Sequence, residues 1–251
     1  MTGATPEQLR SSFGAAAAAY AEHRPDYAED AVRWALAPAP GNRVLDLGAG
    51  TGKLTAVLAR TGAAVIAVEP DPDMLAELRR TQPDVDSRQG TAEDIPLPDG
   101  SVDAVLAGHA MHWFDMTVAG PEIARVLTPG GVLAGLWNVM DDRVDWVAGL
   151  AEVGGEAAVG PRDLLGGWPD ATAHLLPDGA ERGTFAHPQR HTADSLVAKI
   201  GTHAGILVMP EDERRATLDR VAAYLATHDA TAHGVFELPV LTAVLRGGPP
   251  V

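Results

Sequence analysis

From residue 43 onward the apolar positions of this chain alternate between two rhythms. Arg43 to Leu47, Ala64 to Val68 and Val102 to Ala107 are short, dense runs rich in Val, Leu, Ile and Ala, the pattern of strands buried on both faces. Lys53 to Arg60 and Pro72 to Arg80 space their apolar residues three and four apart, which predicts amphipathic helices between those strands. A short strand over Val85 to Gln89, a helix over Pro121 to Leu127 and a strand over Val132 to Trp137, entered through Pro129-Gly130-Gly131, continue the series. Such alternation predicts a parallel sheet with helices on both faces.

The flanks read differently. Glu7 to Ala21 and Tyr27 to Ala37 are two helical stretches separated by Arg24-Pro25, and together they predict a helical cap over residues 1–40. From Met140 to Gly179 the rhythm fails, and glycine pairs separate short helical pieces that carry Trp146, Leu164, Leu165, Trp168, Leu175 and Leu176. A long connection with apolar anchors predicts an insertion, here a lid over residues 140–180. A strand over Glu181 to Pro188, helices over Asp194 to His203 and Pro210 to Thr227, and a last strand over Gly234 to Arg246 complete the sheet in residues 181–251. The expected layout is one domain over 1–251 with its core at 41–139.

The richest stretch is VLDLGAGTGKLT, Val44 to Thr55, where an apolar strand runs into a glycine turn and then a helix. Gly48, Gly50 and Gly52, with the small Ala49 between, strip side chains from the turn and predict a ligand cradle at the backbone amides of the helix N-terminus. Asp46 lies two residues before the first glycine, where a carboxylate sits badly beside a pyrophosphate but suits a cationic amino-acid group, directly or through water. A dinucleotide fingerprint would need its third glycine at Lys53, whereas this chain has it at Gly52. The pattern D-x-G-x-G-x-G resembles motif I of the class I S-adenosylmethionine (SAM) dependent methyltransferases of the small-molecule type (methyltransferase domain 11-like). That resemblance implies a Rossmann-like, mostly parallel sheet of seven strands, helices on both faces, and SAM as cofactor.

Composition narrows the acceptor. Lys and Arg number 19 against 34 Asp and Glu, a net charge of −15, which opposes a long phosphate-contacting surface and therefore nucleic acid as substrate. There is no cysteine, so no disulfide framework or thiolate site exists, and the histidines show no metal-ligand pairing. The N-terminal MTGATPEQLR lacks a basic segment followed by an apolar one, and no stretch is long and apolar enough to span a membrane. A soluble cytoplasmic protein, monomeric or homodimeric, is expected.

Glu69 ends the second strand, so the right-handed crossover brings its carboxylate to the edge that carries the glycine turn, where it can accept both ribose hydroxyls. Pro70 and Met74 match the family's adenine wall. The segment Gly90 to Asp115 resembles the family's adenine-binding stretch and fourth strand, placing Ala92 and Glu93 at the adenine edge with Ile95 covering the ring. Gly108 and His109 then fall at the sulfonium end. In His112-Trp113-Phe114 the aromatic rings can attract a sulfonium and a neutral imidazole can take an acceptor's proton, or the three can pack and form structural hydrogen bonds. Tyr20 and Arg24 resemble the Y-x-x-x-R-P-x-Y entry of methyltransferases related to trans-aconitate methyltransferase, which implies closure over the methionine part of SAM. Candidate acceptor contacts are Trp113 and Trp137 and, from the lid, Trp146 and Trp168. His112 and His109 are the candidate catalytic residues. The resemblance implies methyl transfer to the O or N of a small acceptor, a natural product or carboxylic acid; the alternative is a cyclase-like or regulatory protein that binds SAM without methylating.

Overall fold

The computed structural model describes residues 26–155 and 180–248. The first expected helix, Tyr20, Arg24, and the part of the lid that contains Trp168 lie outside the described residues. The elements, in chain order, are α1 (Glu29–Leu36), β1 (Arg43–Leu47), α2 (Lys53–Arg60), β2 (Ala64–Glu69), α3 (Pro72–Thr81), β3 (Asp86–Gln89), β4 (Val102–Gly108), α4 (Met116–Val126), β5 (Leu127–Met140), α5 (Asp145–Gly154), β6 (Glu181–Ala186), β7 (Gln189–His191), α6 (Ala193–Gly201), α7 (Ala204–Leu207), α8 (Glu211–Thr227), β8 (Phe236–Leu238) and β9 (Val240–Gly247).

Seven strands form one sheet in the order β3-β2-β1-β4-β5-β9-β6. β1 pairs in parallel with both β2 and β4, and β2–β3 and β4–β5 are parallel too. The chain thus winds outward one way from β1 and the other way from β4. Between the carboxyl ends of these two strands lies the crevice in which doubly wound sheets bind ligands.

The described residues fall into two compact units, one of 26–138, 180–185 and 242–248 and one of 139–155 and 186–241. The first is built on Val44, Ala104, Leu106 and Leu136 of the sheet, packed against Ala31, Val32 and Ala35 of α1 and Leu54, Val57 and Leu58 of α2. Those helical positions are the ones spaced three and four apart in sequence, so their stripe faces the strands. The second unit has its own apolar cluster, in which Trp146, Leu150, Leu196, Ile200, Val221 and Leu225 meet Phe236 and Leu238.

Several boundaries differ from the sequence expectations. The last strand is two strands: β8 pairs antiparallel with β7 in a separate ribbon, while β9 enters the main sheet. Pro239 between them has no N–H to donate to a ladder. α4 begins at Met116 rather than at Pro121, which lies inside it; Asp115 caps the helix by accepting the Thr117 N–H at 3.0 Å. β5 starts at Leu127, and since Val102 faces Leu127 while Ala104 faces Val132, residues 128–131 loop out as a bulge within the strand. Ala193–Gly201 and Ala204–Leu207 are separate helices, and β6 stops at Ala186 with Pro188 ahead of β7.

Candidate active site

At the end of β1 the chain turns sharply, and the amides of Gly48 and Ala49 both donate to the Val68 carbonyl of β2 at 2.9 and 3.0 Å. Gly48, Gly50 and Gly52 have φ of 70°, 56° and 87°, the left-handed region that only glycine enters without strain. A Cβ on Gly48 would come within 2.7 Å of the Ala110 Cβ and 3.6 Å of the Phe114 ring, whereas one on Gly50 would meet nothing within 4 Å. The segment after β4 therefore lies against one side of the turn, and the surface at Gly50 is open.

Several amides of the turn itself are spent within the fold. The amides of Gly48 and Ala49 are taken by Val68, that of Gly52 by the Ala49 carbonyl, and that of Gly50 by a Glu69 carboxylate oxygen. Those four amides are satisfied internally, and at Gly50 the turn offers a bare Cα surface.

Two carboxylates stand beside it. Asp46 is fully buried; its Oδ2 accepts the Thr55 hydroxyl at 2.6 Å and its Oδ1 has no partner. Burial pushes its pKa up to about 7, against the pull of the Thr55 bond and with a further push from the Glu69 charge. Glu69 is 7% exposed; Oε2 takes the Gly50 N–H at 2.8 Å and Oε1 the Asp71 N–H at 2.9 Å. Burial raises its pKa as well, and the two backbone donors oppose the rise. The buried Thr51 Oγ also has no partner. A cradle with an open glycine face, an unpaired buried carboxylate oxygen and a second carboxylate with lone pairs to spare fits the cationic amino-acid and ribose parts of SAM.

Pro70 precedes α3 and Met74 lies in its first turn, which Asp71 caps through the amides of Asp73 and Met74. Met74 is buried and Pro70 exposed. Ala92 and Ile95, both buried, sit in a loop held by Arg125, which donates to the carbonyls of Ile95 and Leu97 while Glu122 accepts the Ile95 N–H. Glu93 accepts the Asp115 N–H at 3.0 Å, so the loop is tied to the start of α4.

At the end of β4, Gly108 abuts the Tyr27 hydroxyl, and His109 is the one non-glycine residue of positive φ, 52°, among the described residues. The Asn138 backbone N–H donates to His109 Nε2 at 2.8 Å. A backbone N–H only donates, so that lone pair is spent and His109 Nε2 is not the general base it was a candidate to be. His112 follows on the turn Met111–Trp113; the Trp137 indole N–H donates to its Nδ1 at 3.4 Å, and its ring leans on Trp113 with centroids 4.7 Å apart. Burial of the ring lowers the His112 pKa to about 4, although the residue as a whole is exposed.

The sequence reading missed Asn138 and Thr242. The Asn138 amide donates to the Asp26 carbonyl at 2.7 Å and accepts the Thr242 hydroxyl at 2.6 Å, and that hydroxyl accepts the Ala28 N–H at 3.0 Å. No local pattern marks residues this far apart in sequence. Trp146 is a correction: its side chain is 7% exposed, packed in the apolar cluster of the second unit and edge-on to Phe236 at 5.6 Å. It is a core residue, not an acceptor contact. Among the described residues no group of acidic or histidine side chains is arranged to hold a metal, and no helix is long and apolar enough to cross a membrane.

The sheet order and the glycine turn braced by an acid at the end of β2 define a class I methyltransferase fold. A methyltransferase domain matches residues 45–135. An uncharacterized methyltransferase of Mycobacterium tuberculosis is 43% identical over 244 residues, 94% of each chain. A second, from Schizosaccharomyces pombe, is 33% identical over 80% of this chain and 83% of its own. A solved structure from Anaeromyxobacter dehalogenans, described as a candidate type II methyltransferase, superposes with a TM-score of 0.69 at 26% identity, over 91% of this chain and 98% of that one. The chain belongs to the class I SAM-dependent methyltransferases.

Proposed function

We propose that this enzyme methylates an O or N of a small-molecule acceptor in the cytoplasm, and that the glycine turn braced by Glu69 is its cofactor cradle. The observation that carries the reading is the pairing of an open surface at Gly50 with the Glu69 carboxylate bonded to that residue's own N–H. Asp46, Gly48, Ala49, Gly50, Gly52 and Glu69 would hold the amino-acid and ribose parts, and Pro70, Met74, Ala92 and Glu93 the adenine. Gly108 would face the sulfonium, with His112 and Trp113 toward the acceptor; Trp137, a candidate contact, is buried behind His112 and acts through it. Tyr20 and Arg24 keep the roles that the resemblance implies, and Trp168 that of an acceptor contact from the lid.

When bound, SAM supplies an electrophilic methyl group that an acceptor lone pair takes up as the C–S electron pair leaves on sulfur. The chain itself contributes position. Asp46 draws the cationic end, Glu69 fixes the ribose, and the ring of Trp113 limits how an acceptor can approach, with the buried Trp137 behind His112. Orientation of two reactants supplies most of the rate in such a transfer, and no side chain has to form a covalent bond. The net charge of −15 favours small acceptors over polyanions. Incubating the enzyme with SAM and either a low-molecular-mass extract or total RNA tests this. S-adenosylhomocysteine should form with the first alone; formation with RNA alone would refute the acceptor class, and none with any pool would favour a binding protein.

A further inference from the structure

The indole nitrogen of Trp137 carries a proton and offers no lone pair, so toward His112 it can only donate. It meets Nδ1 at 3.4 Å. A neutral imidazole has one proton, and with Nδ1 accepting, that proton sits on Nε2. The indole is held in place: Trp137 is 4% exposed, and its six-membered ring lies against Gly135, where a Cβ would collide with it. The imidazole is held as well. The turn carrying it is pinned by the fully buried Met111 and by the bond from Trp113 N–H to the Ala110 carbonyl at 2.8 Å, and its ring rests on Trp113. Among the described residues no partner meets Nε2.

We propose that Trp137 holds His112 as an Nε2–H hydrogen-bond donor, and that the acceptor it orients is an oxygen already ionised on arrival rather than a hydroxyl or amine that must be deprotonated. Trp137 is then a positioning residue and His112 the specificity-determining one. The inference rests on the methyltransferase reading. His109, on the same segment, offers no alternative base at Nε2, because that lone pair takes the Asn138 N–H. With an ionised oxygen the transfer balances without a base: one oxygen lone pair becomes the O–CH₃ bond, the C–S pair departs on sulfur, and no proton moves. The Nε2–H bond occupies a second lone pair and fixes the direction of the first.

The test uses the full-length ¹⁵N-labelled protein saturated with S-adenosylhomocysteine, with the imidazole nitrogens observed by long-range ¹H–¹⁵N correlation. His112 should show the Nε2–H pattern throughout about pH 6 to 8, and Trp137→Phe should shift it toward a mixture of tautomers. Benzoate should move the His112 Nε2–H resonance and benzyl alcohol should not. His112→Gln, which keeps an N–H donor that cannot titrate, should hold benzoate within about threefold of wild type, and His112→Ala should weaken it by about tenfold or more. An Nδ1–H or doubly protonated ring, a tautomer indifferent to Trp137→Phe, or equal response to benzyl alcohol would overturn the proposal. S-adenosylhomocysteine binding is read in the same sample: its absence refutes the methyltransferase reading, and its presence with the wrong tautomer refutes this inference alone.

Discussion

Glu69 reaches from the end of β2 into the turn after β1 and accepts the Gly50 N–H at 2.8 Å, while its other oxygen accepts the Asp71 N–H at 2.9 Å. One carboxylate therefore ties the glycine turn to the start of α3. The parallel register that pairs Leu47 with Val68 puts the next residue, Glu69, level with the turn, so strand pairing alone brings the group into range. Burial raises the carboxylate's pKa, and these two bonds to backbone N–H groups oppose the rise.

Replacing Glu69 should therefore have two effects. Glu69→Ala leaves the Gly50 and Asp71 amides without their acceptor and should destabilise the fold by about 1 to 3 kcal/mol. Its affinity for S-adenosylhomocysteine should fall about ten- to a hundredfold. Glu69→Gln keeps one carbonyl acceptor and should recover most of the stability but less of the affinity. Thermal melts and calorimetric titrations of both variants separate the two; unchanged affinity in a folded Glu69→Ala would remove Glu69 from the ligand site.

The glycines should separate in the same way. Gly50→Ala meets no atom within 4 Å, so its cost is the left-handed backbone alone, about 1 to 2 kcal/mol, and the protein should fold yet lose cofactor binding to the new methyl group. Gly48→Ala adds a clash with Ala110 and should melt at a clearly lower temperature than Gly50→Ala. Equal melting of the two, or a Gly50→Ala that binds S-adenosylhomocysteine normally, would contradict the arrangement.

Asp46 predicts a pH dependence. Its folded pKa, about 7, lies above the ordinary value of 3.8, so the folded chain holds this proton more tightly than the unfolded chain does. The group costs no stability below pH 3.8, and its ionisation weakens the fold increasingly as pH rises toward about 7. A cationic ligand beside it draws the proton off, so SAM affinity should rise between about pH 6 and 8 by up to about tenfold per unit, with proton release visible as buffer-dependent heat. Thr55→Val removes the hydroxyl bonded to Oδ2 and should move this transition to higher pH. A flat affinity profile in wild type would show that Asp46 does not respond to the ligand.

The fold and the cradle were legible to different depths. β1, β2 and β4 announce themselves because Val, Leu, Ile and Ala dominate them, with only single charged residues such as Asp46, Glu69 and Asp103 interrupting the runs, and the glycines mark the turn because only they accept its φ values without strain. Pro121 misled the reading of α4, since proline favours a first helical turn but here lies inside the helix; the capping Asp115 was the better signal. Where the turn's amides go, and which lone pair each histidine spends, depends on partners such as Val68, Asn138 and Trp137. Those pairings exist only once the strands are aligned. Trp146 looked like a lid contact because an aromatic residue in a glycine-broken stretch has the same sequence signature whether it covers a ligand or fills a core.

The most direct test of the cradle is calorimetric titration of the full-length protein with SAM and, separately, with NAD. SAM should bind at a single site and, at a hundred times its dissociation constant, add about 2.7 kcal/mol to unfolding stability, while NAD should give neither heat nor a thermal shift. Tight NAD binding without SAM binding would contradict the account.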